Sequence, residues 1–298
     1  MPPEFNPSFQ SPHWAWWIVL YFFVGGMTGG IYFAAAWLDL FGDDAGDRGI
    51  VRLGYLLAFP LIIISALFLI VDLGQPLRFT NMIFQSERLP LPILKPYSPM
   101  SLGSAILFVF GVVALLSFVD ALFFRGRLVH ASGNPLGKVI SVIGALGGLA
   151  LAGYTGAVLN VTNVPVWGTS PWVSALFLFS GVSTGIAALL LLGRRLPLTT
   201  MEKLSEADNY MMVLELITLL VFLVTLGTVG MRFIIGAPVA ALFAIVIVIG
   251  LLVPLALHWQ PRIAGGARVA STIAAVLALV GGFVLRWAVL AAPQGLGL

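Results

Sequence analysis

The chain of 298 residues is 60% hydrophobic and only 9% charged, with a mean hydropathy of +1.05. Soluble domains carry roughly 25% charged residues because their surfaces meet water, so a chain this poor in charge must turn much of its outside to lipid. A net charge of +3 scattered over short loops does not describe a nucleic-acid binder, and the lack of cysteine excludes disulfides, thiolate nucleophiles and any cysteine-ligated zinc or iron–sulfur cluster within the chain.

A helix needs about 20 apolar residues to cross the hydrocarbon core. On that ruler the sequence predicts eight transmembrane helices, near 14–40, 51–73, 100–125, 137–160, 170–193, 209–232, 236–258 and 268–290. The expected fold is an all-α polytopic bundle: a membrane domain over 14–292, with a tail at 1–13 and another at 293–298. Met1 to His13 contains no Lys or Arg, so it lacks the charged start of a secretory signal, and the first apolar run reads as a retained span. Pro60 and Pro254 fall inside spans and predict kinks there.

Orientation follows from the basic residues. With the N-terminus outside, the inner loops hold ten: Arg48, Arg52, Arg125, Arg127, Lys138, Arg194, Arg195, Lys203, Arg262 and Arg268. The outer side holds five: Arg78, Arg88, Lys95, Arg232 and Arg286. The imbalance predicts both termini outside. Trp14, Trp16, Trp17, Trp167, Trp172 and Trp287 then fall at outer span ends and Trp37 and Trp259 at inner ends, as an aromatic belt would.

Of the three histidines, His13, His130 and His258, all lie at or beyond span ends. A transmembrane haem needs two axial ligands facing each other within a bundle, so the chain is expected to hold no haem, cluster or other redox metal. No Gly-rich phosphate loop is present; the glycines lie in or beside spans, where they serve close helix packing.

The polar residues within spans carry the remaining information, because each is costly at mid-bilayer. Asp72 ends span two in Asp72-Leu-Gly-Gln-Pro-Leu-Arg78 and is either an interfacial carboxylate paired with Arg78 or a proton acceptor beside an outer pocket. Tyr154 and Asn160 close span four; Tyr154 is either a belt residue or a ring seated in the room left by Gly153 and Gly156. Glu215 reads either as a buried carboxyl bonded to Ser180, Ser183 or Thr184 of span five, or, with Asp208, as a step in a proton relay. Asp39 and Asp120 read as inner interface markers. Arg286, near the outer end of span eight, either snorkels or pairs with a carboxylate such as Asp72.

Several of these segments together resemble the NrfD/PsrC family. They are Tyr21-Phe-Phe-Val-Gly-Gly-Met-Thr-Gly-Gly30 in span one, Asp72-Leu-Gly-Gln-Pro-Leu-Arg78 after span two, and Pro99-Met100-Ser101-Leu-Gly103 opening span three. Tyr154-Thr-Gly156, Pro165-Val-Trp167 and Ser180-Gly-Val-Ser-Thr-Gly185 extend the likeness. The resemblance implies a membrane anchor subunit in the bacterial cytoplasmic membrane. Such a subunit passes electrons between a quinone pool (menaquinone or ubiquinone) and an extrinsic ferredoxin-like iron–sulfur subunit, which serves a molybdopterin or multihaem catalytic subunit. It also implies a quinone site toward the outer face among the first four helices, with Tyr154 as a quinone contact. Tyr21 stands where the polysulfide reductase anchor uses His, and Trp17 falls near its Asn, so the hydrogen-bond pattern differs here. On this reading Trp17, Tyr21, Arg78 and Asn160 line the quinone, Asp72 and Tyr154 handle its protons, and the 74–99 loop presents Arg78, Arg88 and Lys95 to the partner. Glu215, Asp208, Ser183 and Thr184 would form a proton path through the membrane. The competing reading, a secondary transporter or proton-conducting protein without quinone chemistry, would need a central polar site and an internal repeat; the sequence displays no convincing repeat.

Overall fold

The computed structural model describes residues 14–42, 46–82, 98–130, 134–193 and 197–294. Among them lie ten α-helices: α1 (Trp16–Phe41), α2 (Arg48–Asp72), α3 (Pro99–Phe123), α4 (Pro135–Asn160), α5 (Trp172–Leu192), α6 (Leu198–Thr225), α7 (Gly227–Ile234), α8 (Ala237–Ile245), α9 (Val253–Trp259) and α10 (Ala267–Gln294). A short 3₁₀ helix (Pro76–Met82) follows α2. Eight rods are long and apolar enough to cross a membrane, the seventh running from Pro238 to Trp259 through α8 and α9. The chain is a polytopic α-helical membrane protein. The tail at 1–13 with His13, the loop residues Arg88 and Lys95, the pair Arg194 and Arg195, and residues 295–298 lie outside the described residues.

Local chemistry sets where the rods begin. Pro99 and Pro135 occupy first-turn positions that need no N–H donor, and the preceding Ser98 and Asn134 accept from Ser101 N (3.5 Å) and Leu136 N (3.1 Å). The sixth span departs from expectation at both ends. It starts at Leu198 instead of 209, because the charged first turns are helical even though they are too polar for a hydropathy ruler. It stops at Thr225, because Gly227 takes a left-handed conformation (φ +62°) that ends the helix and opens the separate α7. The seventh span is interrupted by a π-helical stretch, Val246–Leu252, immediately before Pro254. A proline that cannot donate to the preceding turn accounts for a break at that point. The last helix continues through Pro293 to Gln294, past the end near 290 expected for the eighth span.

We call the end of the bundle at which α1 begins the near face, and the other end the far face. Trp14 N donates to Gln294 Oε1 (2.7 Å), which returns α10 to the near face. Thr200 donates to Asp47 (2.6 Å), which sets the start of α6 beside the start of α2 at the far face.

Lipid tails are as apolar as leucine, so helices in a bilayer associate chiefly through close packing. Accordingly α1 and α5 are central: 72% of the most apolar window of each is buried inside the protein, against 28% for α2 and α3. Adjacent glycines on α1 make this possible. A methyl group at Gly29 would collide with the Gly148 carbonyl of α4, and one at Gly30 with the Gly181 carbonyl of α5. Large side chains then fill the two halves of the interior. Phe22, Trp167, Phe177, Phe222 and Leu285 pack toward the near face, and Ile31, Tyr55, Phe110, Leu151 and Ile186 toward the far face. Trp167 therefore leaves the expected aromatic belt. It is fully buried, stacks on Trp14 (4.9 Å) and donates to Val289 O (2.8 Å). Trp16, Trp17, Trp172, Trp37 and Trp259 remain exposed at span ends.

Overpacking a tight contact costs about 1–3 kcal/mol. Gly30→Val is therefore expected to lower the thermal midpoint in detergent well below that of the parent. Gly74→Val, at a position with nothing within 4 Å, is expected to leave it unchanged. Equal midpoints for all three proteins would refute the backbone contact between α1 and α5.

Candidate functional site

Among the described residues, three groups of polar side chains lie in the interior, one near each face and one between. At the near face, Tyr21 of α1 is buried and within electrostatic reach of Tyr154 of α4. The Tyr154 hydroxyl donates to Pro99 O (2.7 Å) at the start of α3, and its ring lies against Gly103, where any Cβ would occupy the ring's place. The glycine that admits this ring is thus on α3. Gly153 and Gly156 face Leu178 and the Val173–Ser174 backbone of α5, so their role is helix contact and not the one expected. Ser65 of α2 joins the group: its Oγ lies 2.9 Å from where a Cβ on Gly25 would stand, and the Tyr21 ring 3.8 Å from the same point, so Ser65 packs directly against the α1 backbone. The Ser65 hydroxyl is buried with no hydrogen-bond partner, and Tyr21 makes no side-chain hydrogen bond among the described residues. Beside the group, an apolar groove of about 310 Å³ runs between α2 and α3, lined by Ile62, Ala66, Leu69, Ser104, Leu107 and Phe108.

The other near-face candidates are distributed around this centre. Asp72, half-buried at the end of α2, makes no salt bridge with Arg78, which is exposed on the 3₁₀ helix. Trp17 lies on the outside against Phe68 (6.0 Å). Asn160 turns away from Tyr154 and ties α4 to α5, donating to Ser174 Oγ (3.0 Å) and Pro171 O (3.3 Å).

The middle group centres on Arg286, which neither snorkels nor reaches Asp72. It is fully buried, donates to Ser180 Oγ (2.6 Å), Gly282 O (2.7 Å) and Phe177 O (3.4 Å), and lies over the rings of Phe177 (5.3 Å) and Phe23 (5.9 Å). A guanidinium suits such a place, because it spreads its charge over a plane that both hydrogen-bonds and stacks. Glu215, buried near the middle of α6, stands beside Ser180 and in the field of Arg286. Of the other expected relay residues, Ser183 donates to Asp208 Oδ1 (2.7 Å), and the second Asp208 oxygen lies 3.7 Å from His258 Nε2. Thr184 does not join them: its hydroxyl bonds back to Ser180 O and Gly181 O of its own helix.

The far-face group was not anticipated. Asp39 and Asp120 are not simple interface markers. Asp39 accepts from Ser141 (2.7 Å) and Tyr55 (3.0 Å) and pairs with His130 Nδ1 (2.9 Å). His130 Nε2 continues to Ser117 (3.1 Å), which meets Tyr32 (2.7 Å). Asp120 is buried and accepts from Leu128 N (3.0 Å) and His130 N (2.8 Å), which shapes the loop after α3.

The missed residues did leave a signal. Val51, Gly54, Tyr55, Ala58, Ile62 and Ser65 are the buried stripe of α2 at helical spacing, and Ser65 is its last member. Leu251, Pro254, Leu255 and His258 form such a stripe in the seventh span, and Gly282, Leu285, Arg286 and Val289 in α10.

The sequence matches the family described as polysulphide reductase, NrfD, over residues 5–296. The C subunit of polysulfide reductase from Wolinella succinogenes is 27% identical over a stretch covering 62% of this chain and 60% of that protein. Protein NrfD of Escherichia coli is 26% identical over 61% of this chain and 60% of its own length. The chain thus spans about 60% of the length of these relatives.

Removing one partner from a buried charged pair leaves the other uncompensated, at a cost of about 3 kcal/mol. Arg286→Met is expected to depress the thermal midpoint strongly, and adding Glu215→Gln is expected to restore much of the loss. If the double variant melts below Arg286→Met, the two groups are not coupled through the interior.

Proposed function

Because the chain belongs to the NrfD polysulphide reductase family, we propose that it is the quinone-binding membrane subunit of a multisubunit respiratory oxidoreductase. In this reading it lies in the bacterial cytoplasmic membrane with both termini outside, so the near face is the outer one. Electrons pass between the quinone pool and an extrinsic ferredoxin-like iron–sulfur subunit, which serves a molybdopterin or multihaem catalytic subunit. The stretch from Pro76 to Met82, with the exposed Arg78, borders the surface on which that partner would rest.

The observation that carries the proposal is a pair of buried hydroxyls, Ser65 and Tyr21, that make no hydrogen bond among the described residues and lie beside the apolar groove between α2 and α3. A quinone head is a flat apolar ring with two oxygens that need hydrogen-bond donors, and its tail is an apolar isoprenoid. The buried, unpartnered hydroxyl of Ser65 and the free hydroxyl of Tyr21 fit the oxygens, since an unsatisfied buried hydroxyl is otherwise costly. The apolar groove between α2 and α3 fits the tail. A bound quinol supplies two electrons and two protons per turnover. Tyr154, held by Pro99 O against Gly103, stands on α4 within electrostatic reach of Tyr21, and its oxygen keeps lone pairs to accept a proton in a hydrogen bond. The carboxylate of Asp72, half-buried at the end of the same helix as Ser65, takes protons onward to near-face water. Trp17 guards the lipid side.

Proton movement through the membrane is a second element of the reading, supported by the succession of Ser183, Asp208 and His258 beside Ser180, Glu215 and Arg286. These groups belong to α5, α6, α9 and α10, so a path along them would be distinct from the proposed quinone site. A transporter without quinone chemistry would instead leave the unpartnered Ser65 hydroxyl and the apolar groove beside it without a purpose.

In the complex purified with its partners, Ser65→Ala and Tyr21→Phe are each expected to raise the quinol KM about tenfold, the equivalent of one buried hydrogen bond. Tyr154→Phe is expected to slow turnover. Unchanged kinetics in all three would remove the site. In proteoliposomes, Glu215→Gln is expected to lower the ratio of protons moved to electrons transferred; an unaltered ratio would exclude a required relay through that carboxyl.

A further inference from the structure

The far face holds a second cavity that the quinone reading does not use. It measures about 540 Å³ and opens between the ends of α1 and α3 and the starts of α2 and α4. Arg48, Arg52, Arg125, Arg127 and Lys138 line it, and none of the five forms a salt bridge among the described residues. Two carboxylates share the lining, and both are already engaged. Asp39 is held by Tyr55, Ser141 and His130, and Asp47 by Thr200 (2.6 Å) and Lys203 (3.1 Å). Among the described residues, the cavity therefore presents excess positive charge with no free counter-charge.

Its cations are also held in place. Arg52 Nε donates to Ala121 O (3.0 Å), which anchors the side chain on α3 while its terminal nitrogens make no hydrogen bond among the described residues. Arg125 sits in the left-handed region (φ +54°), followed by Gly126, whose N–H closes on Asp120 O (3.0 Å). The Asp120 carboxylate fixes the rest of that loop through Leu128 N and His130 N. The rim beyond the cations is apolar and exposed: Phe41, Phe123, Phe124, Leu128 and Leu136. These residues sit at the ends of membrane-spanning helices, the level at which lipid headgroups meet acyl chains.

We infer that this cavity binds the headgroup of an anionic phospholipid, with the arginines on its phosphodiester and the acyl chains laid over the aromatic and leucine rim. Guanidinium forks match phosphate oxygens in geometry as well as charge, and basic pockets between transmembrane helices are suited to such headgroups. A free phosphate would satisfy the cations but leave the apolar rim unused. The inference does not depend on quinone chemistry or on the direction in which the protein is inserted.

The test uses the full-length protein in detergent, loaded with equal amounts of phosphatidylglycerol and phosphatidylcholine and read by native mass spectrometry. The parent is expected to retain phosphatidylglycerol about tenfold over phosphatidylcholine. The variant R52Q/R125Q/R127Q is expected to bring that preference to within about twofold, while R52K/R125K/R127K keeps part of it and Arg262→Gln, elsewhere on the far face, keeps all of it. The parent's thermal midpoint is expected to rise with phosphatidylglycerol and not with phosphatidylcholine, a measurement that needs no variant. Equal retention of the two lipids by the parent would overturn the inference. So would an equal loss of preference with Arg262→Gln, which would mean diffuse surface charge. Displacement of the lipid by millimolar inorganic phosphate would mean a simple anion site and would overturn it as well.

Discussion

The approach of α1 to both α4 and α5, backbone against backbone through Gly29 and Gly30, is the constraint on which the rest of the bundle depends. In water a helix can be buried by hydrophobic side chains of almost any size, but in lipid there is little to gain by exchanging one apolar neighbour for another. Close contact must supply the attraction, and contact of this kind requires glycine on both sides. Once α1 is enclosed, most of its length points into protein, with exposed residues such as Trp17 and Trp37 near its ends. Its polar residues, Tyr21 toward one face and Tyr32 toward the other, can then meet groups from several helices without passing through lipid.

The three polar groups differ in how completely their hydrogen bonds are satisfied, and that difference separates scaffold from candidate site. At the far face Asp39, His130, Ser117, Ser141, Tyr32 and Tyr55 form a network in which each member has a partner, so its evident work is to hold α1, α2, α3 and α4 in register. In the middle, Arg286 meets most of its needs from Ser180, Gly282 and Phe177, while one Asp208 oxygen and His258 Nε2 face each other without a bond. At the near face the Ser65 hydroxyl, packed against Gly25, and the Tyr21 hydroxyl are left without partners among the described residues. Buried polar atoms without partners are expensive, so a fold that retains them beside an apolar groove is suited to a ligand that supplies the missing oxygen atoms.

Much of the architecture was legible from hydropathy, because a rod in lipid must be apolar along most of its length. The count of spans and most of their boundaries follow from that alone. The exceptions have physical causes. The first turns of α6 are charged yet helical, tied to the far-face residues Asp47 and Ser271 through Thr200 and Ser205. Gly227 ended that helix through its left-handed backbone, which composition does not reveal. Tyr21 and Tyr154 could be named from their motifs, and the structure brings them into each other's reach; Asn160, in the same motif region, is turned aside by the pitch of α4. Ser65 was missed because a serine in an apolar run carries no weight until the buried stripe of α2 is drawn.

The sequence by itself determined that this is an eight-span α-helical membrane protein of the NrfD family, because hydropathy and motif order are properties of the chain read in one dimension. It also marked Glu215 and Asp208 as costly residues that needed partners. Only the tertiary structure decided which partners they have. It turned Arg286 inward to Ser180 and Glu215 instead of outward to water or Asp72, buried Trp167 within what looked like a belt, and closed Asp39 and His130 into one network. The reason is rotational: a residue's position along a helix follows from counting, but the direction it faces depends on which neighbour lies against each side. In this bundle the glycine contacts of α1 set those neighbours.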